Sequence, residues 1–189
     1  MATNQTTSGH GPRFHGDPAR LRSPERIARL QVDRVISLCL EGLKPESVLD
    51  VGTGTGLFAE AFQKQGLPVT GIDVNPEMLK LSRRKVHGAT FAVAEAEHLP
   101  ATDGSFDLVF LGLVLHETDD PSLALREAHR VAKRRVVVLE YPYIAEELGP
   151  PLAERMKSER IIELITAEKF REWERIELKR TELYRMKVH

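Results

Sequence analysis

Four short segments carry residues whose types and spacing could do chemistry. The first is Asp50-Val51-Gly52-Thr53-Gly54-Thr55-Gly56. Glycine's freedom at positive φ lets a loop turn tightly and lets a ligand approach the backbone closely. Where such a loop opens a helix, the first free N–H groups can face an acidic group. A plain strand-to-helix turn is the alternative, and three alternating glycines argue against it. The second is Asp73, followed by Asn75-Pro76. Asn75 suits a helix cap, which leaves the Asp73 carboxylate to accept hydrogen bonds from both hydroxyls of a ribose. The third is Glu95-Ala96. Glu95 could accept from an adenine amino group and the Ala96 N–H could donate to the ring, against the plain alternative of a solvated glutamate.

The fourth segment is His116, with Glu140, Tyr141 and Tyr143 further on. Histidine titrates near neutral pH, so His116 is the candidate catalytic base, and bracing its loop is the alternative. Glu140, Tyr141 and Tyr143 are candidates to line an acceptor site, or only to cover the sheet edge.

Spacing separates this loop from other glycine-rich loops. A dinucleotide fingerprint, G-x-G-x-x-G, places Gly or Ala where this chain has Leu57, counting from Gly52. A bulky Leu there disfavours a pyrophosphate site. No G-K-[ST] follows, so a Walker loop is absent.

The elements that must position these residues alternate strand and helix. Ser23-Pro24 reads as cap and first turn of a helix running to about residue 41. Strands are expected at 47–51, 68–73, 90–94, 106–113 and 135–140. Helices are expected at 57–65, 76–85, 121–132 and from 152 or 158 to 170. Ile176, Leu178, Tyr184, Met186 and Val188 fall on even positions, which predicts a closing antiparallel hairpin turning near 179–181. Alternating βαβ units predict an α/β fold with an open, mostly parallel sheet between helices. Its ligand site lies beyond the carboxyl ends of the strands, where all four segments fall. Residues 1–22 are polar and rich in Ser, Thr, Gly and Pro, and read as a flexible segment or a lid carrying Phe14 and His15. Residues 23–189 read as one domain.

Composition narrows the classes. Lys and Arg total 27 against 28 Asp and Glu, a formal charge of −1, which argues against a dedicated nucleic-acid binder. The run Arg130, Lys133, Arg134, Arg135 is the one local exception, and such runs are usually solvated helix ends. The single cysteine, Cys39, forms neither an internal disulfide nor a cysteine-based zinc site. The His residues make no metal-binding pair at helical spacing, so no metal is expected. No stretch reads as a signal sequence or a membrane span, and the expected location is cytoplasmic.

Val48 to Gly56, then Gly71-Ile-Asp-Val-Asn-Pro-Glu-Met-Leu79, resemble the class I S-adenosylmethionine-dependent methyltransferases. Ala94 to Val109, with Val114-Leu-His-Glu117 and Ala124 to Val131, resembles the type 11 branch, which includes enzymes similar to the ubiquinone/menaquinone C-methyltransferases. The resemblance implies a Rossmann-like αβα sandwich with a seven-stranded sheet in order 3-2-1-4-5-7-6 and an antiparallel last strand. It implies S-adenosylmethionine as cofactor and S-adenosylhomocysteine as product. Gly52, Gly54 and Gly56 would shape the loop under the methionine part, with Thr53 among the contacts and Asp50 orienting the amino group. Asp73 would bind the ribose, Val74 and Met78 would pack on the adenine, Glu95 and Ala96 would hold its edge, and Leu111 would sit beneath. Lys133-Arg134-Arg135 replaces the family's usual Pro-Gly-Gly turn, and Arg171-Glu172-Trp173 its usual Ala-Gly-Phe.

The acceptor expected is a small molecule. Gly112-Leu-Val-Leu115 lacks the Asn/Asp-Pro-Pro-Tyr motif of amino-methylating DNA enzymes, and Cys39 falls in the first helix, away from any cytosine-C5 nucleophile position. A homodimer stays open. Two other classes remain at this stage: a catalytically silent cofactor-binding sensor or partner subunit, and a nicotinamide dehydrogenase, which Leu57 disfavours.

Overall fold

The computed structural model describes residues 16–146 and 149–188. Seven strands form one sheet in the order β3-β2-β1-β4-β5-β7-β6. They are β1 (Val48–Val51), β2 (Val69–Asp73), β3 (Thr90–Val93), β4 (Phe106–Gly112), β5 (Ala132–Glu140), β6 (Glu172–Glu177) and β7 (Glu182–Lys187). β7 pairs antiparallel with both β5 and β6, and the other neighbours are parallel. This is the expected sheet.

The centre is apolar on both faces because helices cover both. In β4, Leu108 and Phe110 face the layer of α1 (Pro24–Leu30), α2 (Val32–Leu40), α3 (Leu57–Gln63) and α4 (Pro76–Lys85). Val109 and Leu111 face α5 (Pro121–Val131) and α6 (Ser158–Ala167). All four are fully buried, each stabilising the fold by about 1.5–3 kcal/mol. Phe110 also packs against Phe58 and Phe62, with ring centroids 4.8 and 5.5 Å away.

Several boundaries differ from expectation. The first helix breaks at Gln31, which adopts a left-handed conformation at φ 51°. In one continuous helix Leu30 and Val32 would point about 200° apart; the break turns both into the core, where they are 0% and 5% exposed. β5 starts directly at Ala132, so Lys133, Arg134 and Arg135 belong to a strand rather than a turn. Arg135 Nη1 donates to the carbonyls of Cys39 (2.7 Å) and Glu41 (2.9 Å), and Arg134 Nη1 to that of Lys44 (3.1 Å). These are carbonyls at and beyond the end of α2, where a helix leaves acceptors without backbone partners. Arg130 pairs with Glu127 and Asp103. Three of the four cations in the basic run therefore bond within the domain.

β6 begins at Glu172, earlier than the alternation starting at Ile176 suggests. In β7 Leu183 and Tyr184 are both buried, because both faces of that strand are covered. Leu178 N–H donates to Thr181 O at 2.9 Å and closes the expected turn. Residues 152–154 form a separate 3-10 turn, and the last helix starts at Ser158. Of the segment 1–22, Pro18–Arg22 is a 3-10 helix capped by the Asp17 carboxylate. Phe14 and His15 lie outside the described residues.

Candidate active site

The carboxyl ends of β1, β2, β4 and β5 share one rim, and most of the expected residues stand on it. At β1, Gly52, Gly54 and Gly56 all adopt positive φ (67°, 54° and 77°), which only glycine adopts without strain. Gly52 has a second reason. A Cβ there would lie 2.4 Å from Val114 Cγ2, the residue just past β4. The glycine loop and the segment leading to His116 therefore touch.

Asp50 is buried, and its Oδ2 accepts from Thr53 Oγ1 at 2.6 Å. Burial pushes its carboxyl up to about 7, against the opposing pull of the Thr53 hydroxyl and the Ala59 N–H. Asp73 ends β2. Its Oδ2 accepts from Gly54 N–H and its Oδ1 from Asn75 N–H, both at 2.8 Å. Burial raises the Asp73 pKa above the usual carboxylate value, opposed by those two N–H groups. The Asn75 side chain caps α4 by accepting from Glu77 N–H, as the sequence predicts. Ser82, on α4, donates its hydroxyl to Gly54 O at 2.6 Å. It belongs to no recognisable motif.

Around the expected adenine position, Met78 and Ala96 are buried while Val74 is 45% exposed. The Glu95 side chain is largely solvent-exposed, 3.4 Å from His98 Nδ1. Leu111 is buried in β4 on the α5–α6 side. The loop suits an adenosine cofactor. A Cβ on Gly54 would meet only Leu21, 3.9 Å away. Among the described residues the buried Thr55 hydroxyl has no hydrogen-bond partner.

The N-terminal 3-10 helix lies along this loop. Arg22 Nη1 donates to Thr55 O at 2.9 Å, and Arg22 pairs with Glu60 of α3. Arg26 Nη1 donates back to Leu21 O at 2.9 Å.

The β4–β5 end of the rim is assembled from side chains. Leu113 takes φ 60°, a conformation that costs a branched residue energy, as the chain turns out of β4. His116 follows in a 3-10 turn, Leu115–Glu117. Glu140 ends β5. Its Oε1 accepts from His116 N–H at 3.2 Å, and its Oε2 lies 2.7 Å from His116 Nδ1 and 3.3 Å from Tyr141 N. The two side chains are 5% and 2% exposed. Burial alone would lower the His116 pKa. The Glu140 charge and hydrogen bond outweigh it, with Glu117 and Glu154 adding, so the pKa stands above the ordinary histidine value.

Tyr141 is buried with its ring edge-on to His116, 6.1 Å between centroids, while Tyr143 is 40% exposed. Buried Arg155 fastens the loop that follows. It donates to the carbonyls of Pro150 (2.9 Å), Ile144 (2.7 Å) and Pro142 (3.2 Å) and lies 5.4 Å from the centre of the Tyr141 ring. Gly149, at φ 95°, runs close to that ring. A lone arginine after Gly-Pro-Pro gives no sign of this in the sequence.

A rim of glycine loop, terminal carboxylates and a seven-stranded sheet in this order defines the class I methyltransferase architecture. A methyltransferase-domain family, type 11, matches residues 49–139. A demethylmenaquinone methyltransferase of Renibacterium salmoninarum is 32% identical over 173 residues, covering 83% of this chain and 70% of that protein. One from Thermotoga maritima is 38% identical over 111 residues, covering 57% of this chain and 48% of that protein. The crystal structure of a SAM-dependent methyltransferase from Aquifex aeolicus superposes with a TM-score of 0.82 at 24% identity, covering 92% of this chain and 100% of that one; at that identity it speaks for the fold. The chain belongs to the class I S-adenosylmethionine-dependent methyltransferases, in the type 11 branch. It spans under half the length of the Thermotoga relative. Among the described residues, no helix is long and apolar enough to cross a membrane.

Proposed function

We propose that this chain transfers a methyl group from S-adenosylmethionine to a small-molecule acceptor by in-line displacement. The carrying observation is the Asp73 carboxylate at the end of β2, in contact with a loop of three positive-φ glycines. When bound, the cofactor supplies a methyl already activated by a sulfonium. The protein then has to bind and orient, and positioning is worth about 7–11 kcal/mol. In this reading Asp73 accepts from the ribose hydroxyls, Glu95 and the Ala96 N–H hold the adenine edge, and Val74 and Met78 flank the ring. Asp50, Gly52, Thr53, Gly54 and Gly56 hold the methionine part, and Leu111 lies beneath. His116 is the base, and Tyr141 and Tyr143 stand at the acceptor wall. Between β1 and β5 the connections carry no inserted domain, which favours a small acceptor over a macromolecule.

The N-terminal segment is a cover for the cofactor loop in this proposal. The contacts of Leu21 and Arg22 with Gly54, Thr55 and Glu60 support it. Titration calorimetry with S-adenosylmethionine, S-adenosylhomocysteine and NAD tests the reading. Binding of the first two is expected; tight binding of NAD alone overturns it. Deleting residues 1–22 is expected to weaken cofactor binding, and unchanged affinity removes the cover.

A further inference from the structure

Residues 94–105 join β3 to β4 without helix or strand, and they carry Glu95 and Ala96. Connections of this length are usually functional or disordered, and this one is fastened. β3 is an edge strand, paired with β2 alone. After Ala94 N–H donates to Asp73 O at 3.2 Å, the chain leaves the sheet. The Glu95 side chain is largely exposed and the Ala96 donor is main chain, so the path of the backbone places both.

That path is set from α5. Glu127 Oε2 accepts from Leu99 N–H at 2.9 Å. Arg130 Nη2 donates to Leu99 O at 3.1 Å, and its Nη1 donates to Ala101 O and to Asp103 Oδ1, both at 2.8 Å. Two further bonds of 2.7 Å, Nε to Oε1 and Nη2 to Oε2, join Arg130 to Glu127. All five guanidinium N–H groups therefore have a partner, which leaves Arg130 none for a nucleic-acid phosphate. The Arg130 hydrogen bonds hold the Glu127 carboxyl below the usual carboxylate value, outweighing its burial. Arg130 O in turn accepts from Gly104 N–H at 2.9 Å. At the other end of α5, Glu97 Oε1 accepts from Asp119 N–H at 2.8 Å and Asp120 N–H at 3.3 Å. Ala96 and Leu99 are buried on the α5 side of the sheet.

We propose, resting on the methyl-transfer reading above, that Glu127 and Arg130 are positioning residues for cofactor recognition. They hold the 94–105 connection so that the Glu95 carboxylate and the Ala96 N–H stand fixed at the base edge, and they thereby set a preference for adenine over hypoxanthine. Adenine presents an amino donor and a ring-nitrogen acceptor on that edge; hypoxanthine presents a carbonyl acceptor and a ring N–H donor. An acceptor at Glu95 and a donor at Ala96 match the first pattern and oppose the second. The mismatch is costly only while both protein groups keep their places. A loose connection turns Glu95 out to water and relieves it. Arginine suits the task because its planar fork is pre-organised for several bonds at once. Recognition of the ribose is independent of this device, since Asp73 is held by Gly54 and Asn75 N–H groups at the end of β2.

Two measurements on the full chain test this. The first is calorimetry with S-adenosylhomocysteine, its inosine counterpart and its 2′-deoxy counterpart. The wild type is expected to prefer adenine over hypoxanthine about 10–100-fold, the value of a hydrogen bond to a charged group. Arg130→Lys keeps the charge but supplies three donors without the fork, and it should lower that ratio about tenfold. Glu127→Ala should do the same. Glu127→Gln, whose amide oxygen can still accept from Leu99 N–H, should regain part of the loss. The ratio between the ribose and 2′-deoxyribose ligands should stay as in the wild type throughout. A base ratio unmoved in folded Arg130→Lys and Glu127→Ala, or both ratios falling together, overturns the positioning role. The second measurement needs no variant: backbone amide relaxation of the wild type without ligand. Order parameters of about 0.85 are expected from Ala96 to Asp103, and values below about 0.6 overturn the proposal even if every variant fails to fold. A wild type that binds S-adenosylhomocysteine with no preference between the bases also overturns it and leaves methyl transfer standing. No binding of S-adenosylhomocysteine by the wild type overturns the methyl-transfer reading instead.

Discussion

At the β1–β2 end of the rim, contacts run mostly to main-chain groups of the loop, the Thr53 hydroxyl on Asp50 excepted. Thr53 N–H donates to Ile72 O, Gly54 N–H donates to Asp73, and Gly54 O accepts from Ser82. At the β4–β5 end they run through buried side chains: His116 on Glu140, and Arg155 on three carbonyls beside Tyr141. The first kind of construction tolerates sequence change as long as the glycines and the terminal carboxylate stay. The second depends on the identity of each side chain. A rim built this way can hold one cofactor constant while the acceptor chemistry varies.

The comparison predicts different damage at the two ends. Glu140→Ala should have the largest effect on stability, about 3–5 kcal/mol, because it breaks a buried pair and strands the His116 and Tyr141 N–H groups. Denaturant unfolding measures this, and a cost under about 1 kcal/mol would make the two ends alike. Gly52→Ala should cost about 2–4 kcal/mol, from strain at positive φ and collision with Val114, and should abolish cofactor binding by calorimetry. Asp73→Asn should leave the fold intact and weaken S-adenosylmethionine about 10–100-fold, the value of one or two charge-assisted hydrogen bonds.

Smaller effects follow from pH. Asp50 is raised to about 7 in the fold, so the folded chain holds its proton more tightly than the unfolded one. Its contribution to stability is full below the unfolded carboxylate value and is lost as pH rises through about 7. In the proposed reading, where Asp50 holds the methionine part, a cationic ammonium beside it would favour the carboxylate, so affinity should rise towards a plateau as pH passes 7, losing about tenfold per unit below it. Calorimetry between pH 6 and 8 reads this, and Asp50→Asn should flatten it. His116 has the same direction of shift: the stability it contributes is full below the ordinary histidine value and is lost as pH rises through the folded pKa. Ser82→Ala is the mildest change, about 1 kcal/mol, seen in thermal melting.

The legible part of the site is the part made of neighbours in sequence. Asp50 and the glycines lie within one loop, and the Asn75 cap and the Asp73 carboxylate lie two residues apart. Positive φ and helix capping are local demands, so residue type reveals them. The break at Gln31 was not legible, because it answers to the burial of Leu30 and Val32 in a core made by other elements. Nor was the direct passage from α5 into β5, because Arg135 reaches back to carbonyls on α2 and α2's end. Glu140 was legible as a rim residue. That its carboxylate turns onto His116 depends on β4 and β5 lying side by side.

The sequence by itself determined the alternation of strands and helices and the glycine loop, because both are short-range signals, and the resemblance those motifs carry implied the family and the sheet order. Only the tertiary structure decided which side chains meet at the acceptor end. His116 and Glu140 are 24 residues apart in the chain, and no local propensity records a contact that exists only once two parallel strands have paired and closed the space between them.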